Sequence, residues 1–294
     1  MKKQGFFLVL YKIAQKTLAG SNLGKYHFLK SLESYVISNA KSTFVSIQGN
    51  KMYLDRKDSL DLSLHGSYET LETEFVKQEV KKGDVVVDIG ANIGYYSLIL
   101  AKIVCNTGKV FAFEPAPDNY SILKKNVEIN NYKNVVLENF AISDTNGEIE
   151  LYLSEESMGW HRIYPSKYCG ENHIKVKTIT LDDYFRNNSF KDKISFIKMD
   201  VEGAELGILK GMTSILTNNK KLTLLLEFVP KYIRESGSNP QELLDILQKH
   251  KFEIFIIDED SDQIQLVDDL HILIGKCDTT NDVPQRINLI CKRN

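Results

Sequence analysis

The chain has 294 residues, 43% of them apolar and 26% charged, which is enough for a sizeable core and ordinary for a globular protein. Its 37 basic residues against 39 acidic ones leave a net charge of −2, which gives no bulk attraction to a polyanion and argues against nucleic acid as a partner. Cys105, Cys169, Cys277 and Cys291 are scattered with no CxxC pair, which argues against a zinc site or a disulfide scaffold and suits free thiols in a reducing cytoplasm.

Residues 1–42 read as helical. The apolar run from Phe6 to Leu10 is interrupted by Lys12 and falls short of the roughly 20 apolar residues that a membrane span requires. The reading is an amphipathic helix packed on the rest of the chain; a peripheral membrane contact, a homodimer contact and a cleaved signal stay open beside it. The alternation in TFVSIQGNKMYLD then predicts a β-hairpin with its turn at Gly49-Asn50. Residues 1–66 are accordingly an N-terminal extension, and 67–294 the main domain.

Apolar positions Leu71, Phe75, Val76 and Val80 recur at helical spacing, so 68–81 reads as a helix stopped by Lys82-Gly83-Asp84. Strands and helices then alternate: VVVDIG, a helix over 95–104, VFAFEP, a helix over 118–130, and VVLENFAIS. VVVDIG is almost wholly apolar before its aspartate, as a central parallel strand covered on both faces should be. A hairpin-like pair is expected around Asn146-Gly147, and SFIKMD, LTLLLEFV, FEIFIID and INLICKR complete the strands. Residues 258–285, acidic and polar, read as an excursion before the last strand.

The strongest local signal is DIGANIG, Asp88 to Gly94, placed directly after a strand and before a helix that opens at Tyr95. Gly90 and Gly94 let the backbone turn sharply and approach a ligand closely, with Ala91 and Asn92 between them in the same wall. The spacing is GxxxG and not the GxGxxG that grips a dinucleotide pyrophosphate. An acidic strand end beside the glycines favours a cationic ligand, which points to a sulfonium cofactor over NAD. Glu114 ends the second strand 20 positions beyond Gly94, where a carboxylate can accept from both ribose hydroxyls, and Pro115 follows it. At the third strand tip Asn139 and Ala141 offer a polar and a small apolar contact for an adenine, with an ordinary turn as the alternative.

With these pieces in place the sequence resembles the FkbM family of class I methyltransferases. The matching segments are VVVDIGANIGYYSLILA, FAFEPAPDNYSILKKNVEINN, NFAISDTNGEIELY, TLDDYF and above all IKMDVEGAELGILKGM, with INLICKR similar to the closing strand. The resemblance implies a Rossmann-like α/β fold, a seven-stranded, mostly parallel sheet in the order 3-2-1-4-5-7-6 with helices on both faces and the last strand antiparallel. It implies S-adenosyl-L-methionine as cofactor and, as acceptor, a hydroxyl on a sugar, glycan or other small molecule. GSYE resembles the short family motif ahead of the cofactor loop, so Tyr68 and Glu69 are expected to close over the methionine end.

Methyl transfer is an in-line displacement, served mainly by alignment, with a general base useful for an alkyl hydroxyl. Asp200 ends SFIKMD and is the first candidate for acceptor chemistry or for the methionine amino group; Glu202 follows, and helix capping is the plainer role for both. His161, in the segment Met-Gly-Trp-His-Arg over 158–162, is a second candidate base, with Trp160 and Arg162 beside it to bind a sugar face and an anion. Glu227 ends the fifth strand and is the third candidate; a divalent ion shared with Asp200 is the weaker reading, and no metal is assigned. Acceptor nitrogen or carbon, and a non-catalytic cofactor-binding module serving a partner protein, are the alternatives.

Overall fold

Val85, Val86, Val87, Asp88 and Ile89 are all buried, which a strand achieves only inside a sheet covered on both faces. In the computed structural model, which describes residues 44–167, 169–258, 263–277 and 286–293, this run is the central strand β3, Val85–Ile89. The expected N-terminal helix lies outside the described residues. Before β3 come the hairpin β1 (Val45–Ile47) and β2 (Asn50–Met52), the short helix α1 (Leu62–His65) and α2 (Thr70–Glu79). After it the chain alternates through α3 (Tyr95–Val104), β4 (Lys109–Phe113), α4 (Pro117–Ile129) and β5 (Val135–Glu138).

A small second sheet interrupts the alternation, built from β6 (Ala141–Ile142), β7 (Gly147–Tyr152) and β8 (His173–Ile179). The main sheet resumes after α5 (Leu181–Phe185) with β9 (Ile194–Met199), α6 (Glu205–Lys210), α7 (Thr213–Asn218) and β10 (Thr223–Phe228). It closes with α8 (Pro230–Glu235), α9 (Pro240–Lys249), β11 (Glu253–Asp258), β12 (Gln263–Leu266), α10 (His271–Cys277) and β13 (Ile287–Lys292).

The main sheet runs β12-β11-β13-β10-β9-β3-β4-β5. β3, β4, β5, β9 and β10 are parallel, while β13 is antiparallel to both β10 and β11. Numbered among themselves, the seven strands read from the sequence stand 3-2-1-4-5-7-6, so this is the class I methyltransferase arrangement. The sheet has an eighth strand, β12, from the segment read as an excursion; it pairs antiparallel to β11 at the edge.

Two apolar layers cover the sheet. One gathers Ile47, Met52, Leu62, Val76 and nearly all of α3 and α4's inner face; the other gathers Leu181, Phe185, Leu206, Leu209, Leu243 and Leu247. The hairpin is tied to α4 by amides. Asn126 accepts from the Tyr53 N–H at 2.6 Å and donates to the carbonyls of Tyr53 and Ile93. Its turn sits one residue earlier than the sequence suggests, at Gln48 and Gly49, which take φ of +51° and +76°, the two positive φ values of a tight two-residue loop.

The pair expected around Asn146-Gly147 is also corrected. β6 and β7 do not touch as strands; β8 lies between them, parallel to β6 and antiparallel to β7. β8 offers β7 a partner along its whole length, and Asn146 crosses to it, accepting from the Thr180 N–H at 2.8 Å. No helix among the described residues is long and apolar enough to cross a membrane.

Candidate active site

The parallel strands put the tips of β3, β4, β9 and β10 along one edge, and the site is built there. At the tip of β3 the backbone peels away, the N–H groups of Gly90 and Ala91 both donating to the Phe113 carbonyl at 3.0 Å. Gly90 takes φ of +80°, and a Cβ on it would run into the Asp200 carbonyl oxygen, so glycine is what lets the tips of β3 and β9 meet. Gly94, at φ +97°, leaves room for Leu123, whose Cδ1 would lie 2.6 Å from an added Cβ, and thereby sets α3 against α4.

Glu114 follows β4 and its carboxylate accepts from the N–H groups of Asn92 (2.7 Å) and Ala116 (2.8 Å). Burial pushes its pKa up to about 7 against those two donors. The cleft beneath it, open to solvent, is lined by Gly90, Glu114, Pro115, Ala141, His161 and Asp200 among others. Asn92 and Asn119 also line it, and the Oδ1 of each is buried and accepts no hydrogen bond. Two waiting acceptors and a fixed carboxylate fit the hydroxyl and amino donors of an adenosyl group.

Other candidates support the cleft without lining it. Asp88 is 1% exposed and accepts from the Ser97 hydroxyl at 2.5 Å, fixing α3 to the strand tip. The Tyr95 hydroxyl accepts from the Tyr68 N–H at 3.1 Å and so holds the segment before α2. Ala91 is buried in the loop, and Asn139 is turned to solvent, its amide donating to the carbonyls of Glu114 and Pro115. Glu69 accepts from the Tyr96 hydroxyl at 2.9 Å, and burial raises its pKa to about 7, Lys198 pulling it down and Asp200 pushing it up.

On the other side of Asp200 the structure brings three carboxylates together. Oxygens of Asp200, Glu202 and Glu227 lie within 4.8 Å of one another. Arg286 Nη1 stands 3.0 Å from Glu227 and 3.3 Å from Glu202, and Arg162 Nη2 donates to Glu202 at 2.9 Å. The three oxygens are close enough for a divalent ion, and two guanidinium groups already compensate the charge. Burial, with Glu202 and Asp200 beside it, pushes Glu227 well above the usual carboxylate range, which Arg286 offsets only in part.

His161 stands at the cleft as its sequence reading expects, while Arg162 is buried and not placed to meet an anion. His161 lines the cleft, but its Nδ1 accepts from the Ser154 N–H at 3.0 Å, which leaves the proton on Nε2 and makes that nitrogen a donor. Burial also lowers its pKa against the pull of Asp118, so the ring stays neutral. Arg162 is 1% exposed, stacked 3.7 Å from the Tyr232 ring centroid, and has no free face for an anion. Trp160 stands half-buried in the same loop and its carbonyl accepts from the Cys169 thiol. Lys198 and Arg286 were not legible as site residues. Lys198 had a signal, since it stands two positions before Asp200 on one strand face; Arg286 had none, being 59 residues from Glu227.

The family model for the methyltransferase FkbM domain matches residues 88–254, more than half of the chain and the stretch holding the cleft and the acidic cluster. The chain belongs to the FkbM methyltransferase family. Its cofactor is S-adenosylmethionine, which the cleft residues fit. Among its relatives, the hexuronic acid methyltransferase AglP of Haloferax volcanii is 31% identical over 189 residues, 63% of this chain and 71% of that protein. Methyltransferase sdnD of Sordaria araneosa is 27% identical over 184 residues, 53% of this chain and 69% of that protein. The crystal structure of an FkbM methyltransferase from Methylobacillus flagellatus aligns at a TM-score of 0.42 and 15% identity, covering 82% of this chain and 56% of that one.

Proposed function

We propose that this FkbM methyltransferase is an O-methyltransferase acting on a sugar hydroxyl, with Asp200 as the general base. The observation that carries the reading is the position of Asp200, which borders both the cofactor cleft and the acidic cluster of Glu202 and Glu227. The other two candidate bases are disfavoured by their surroundings. His161 has its basic nitrogen occupied by the Ser154 N–H, and Glu227 is paired with Arg286 at 3.0 Å and does not line the cleft. A sugar acceptor is supported by the hexuronic acid named as substrate of the Haloferax relative. Action in the cytoplasm is supported by Cys105, Cys169, Cys277 and Cys291, none of which is joined in a disulfide.

When bound, S-adenosylmethionine supplies a methyl group on a sulfonium, and the acceptor's O–C bond forms as the C–S bond breaks. Glu114 fixes the ribose end, the Gly90 turn lets the ligand lie against the strand tips, and Asp200 takes the hydroxyl proton as the new bond forms. Nε2–H of His161 donates into the cleft and orients a bound oxygen or nitrogen.

The test is transfer of labelled methyl from S-adenosylmethionine to a panel of neutral glycosides and uronic acids, with wild type and Asp200→Asn at saturating cofactor. Methylation of a glycoside hydroxyl, reduced about 10² to 10⁴-fold by the substitution, is the expected result. Esterification of a uronate carboxyl with Asp200→Asn fully active would overturn both the acceptor and the base, since a carboxylate needs no deprotonation.

A further inference from the structure

The segment between β2 and α1 lies ahead of the stretch that matches the family model, which begins at residue 88. A surface connector needs only to be polar, yet two aspartates of this one are buried and hold it rigid. Asp55 accepts from the N–H groups of Lys57 (2.8 Å) and Ser59 (2.9 Å) and from the Ser59 hydroxyl (3.1 Å). Asp58 accepts from the N–H groups of Leu62 (3.0 Å) and Ser63 (2.8 Å) at the start of α1. With its hydrogen directed to Asp55, the Ser59 hydroxyl presents a lone pair, and the N–H of Met158, 99 positions further along the chain, donates to it at 3.1 Å. Lys57 Nζ adds a second tie, to the Glu155 carbonyl.

Met158 and Gly159 line the cleft, so this rigid turn is fastened to the cleft's rim. From α4, Asn119 Nδ2 donates to the Met158 carbonyl at 2.9 Å, and the Met158 backbone is thereby held at both its N–H and its carbonyl. A Cβ on Gly159 would stand 3.3 Å from Asn92 Nδ2, so the rim lies directly against the loop after β3. Asn119 is 2% exposed and lines the cleft; with Nδ2 engaged by Met158, the atom left over is Oδ1, which is buried and accepts no hydrogen bond. A buried amide oxygen without a donor is destabilising on its own and is satisfied once a ligand brings a hydroxyl or amino hydrogen. Resting on the assignment of S-adenosylmethionine to the cleft, we propose that Ser59 is a positioning residue for the cofactor: through Met158 it holds the rim loop and keeps Asn119 turned so that its amide oxygen is left to the ligand. Ser59 does not line the cleft; it acts through these two residues.

Calorimetric titration of S-adenosylhomocysteine into full-length wild type, Ser59→Ala and Ser59→Thr tests this, threonine keeping the hydroxyl. The expected result is a Kd raised about three- to tenfold by Ser59→Ala, the scale of one neutral hydrogen bond, and unchanged within about twofold by Ser59→Thr. A hydroxyl that only steadies the fold would lower the melting temperature of Ser59→Ala and leave the Kd alone; that result overturns the proposal, as does equal weakening by alanine and threonine. The route is read in an Asn119→Ala background, where Ser59→Ala should add less than about twofold, and a full additive loss would overturn the role given to Asn119. An unaffected Ser59→Ala removes the role of Ser59 and leaves the cofactor assignment standing; no binding of S-adenosylhomocysteine to wild type would remove both. Should Ser59→Ala lack a cooperative melt, Ser59→Cys, close in size and a poorer acceptor, takes its place with the same outcomes.

Discussion

Gly90 shows how a single residue decides whether the two strand tips can form a site. Its φ of +80° is one that a side chain disfavours, and a Cβ would meet the Asp200 carbonyl, which is backbone and cannot swing aside. Gly237 has a similar φ, +83°, with nothing within 4 Å of an added Cβ. The two therefore separate the conformational cost from the packing cost. Gly237→Ala should lose about 1 kcal/mol of stability, the left-handed penalty alone. Gly90→Ala should lose about 3 kcal/mol or more, since overpacking adds to it, and should abolish S-adenosylhomocysteine binding. Urea unfolding and calorimetry on the two variants check this, and equal losses would show that the strand tips can part. Gly90 was legible because an apolar strand, an aspartate and two glycines occur together; the tautomer of His161 was not, because it depends on where the Ser154 amide falls.

At the scale of elements, those fixed by local periodicity were readable, and those fixed by a distant partner were not. α3, Tyr95–Val104, has the bounds its apolar run suggests. β6 and β7 were misread as a pair because β8, the strand that separates them, enters the chain only at His173. The loop bearing His161 belongs to the same class. It is pinned by Arg162, whose partners Glu202, Glu235 and Tyr232 come from the β9 tip and from α8. Arg162→Ala should cost about 3 to 5 kcal/mol, because it strips a buried carboxylate of one of its two guanidinium partners. The paired change Arg162→Met with Glu202→Met should recover much of that loss, apolar replacement of a buried ion pair being close to neutral. Thermal melts of the single and double variants measure it; a double variant as unstable as the single one would mean that the loop is held by something other than this pair.

For the molecule as a whole, the order and direction of seven of the sheet strands followed from sequence and resemblance, the eighth, β12, did not, and the charge balance at the strand tips had to await the fold, since it is summed over residues far apart in the chain. That balance couples the site to stability. Glu69, Glu114 and Glu205 are each raised to about 7, burial being the largest cause in every case. A carboxyl whose folded pKa exceeds its unfolded value keeps its proton longer in the folded state, so the folded protein binds more protons between about pH 4.5 and 7. Its stability contribution is therefore present below that window and lost as pH rises through it. For Glu114, 5% exposed, the loss amounts to roughly 3 kcal/mol across the window. The cofactor-free protein should accordingly show a stability that Glu114→Gln makes less dependent on pH by about that amount, the glutamine having no proton to lose. Chemical denaturation at pH 5 and pH 8 on both proteins measures the difference, which cancels groups common to the two. An unchanged slope in the variant would mean that the carboxylate is hydrated in the open cleft, and that the two backbone donors, not burial, set its charge.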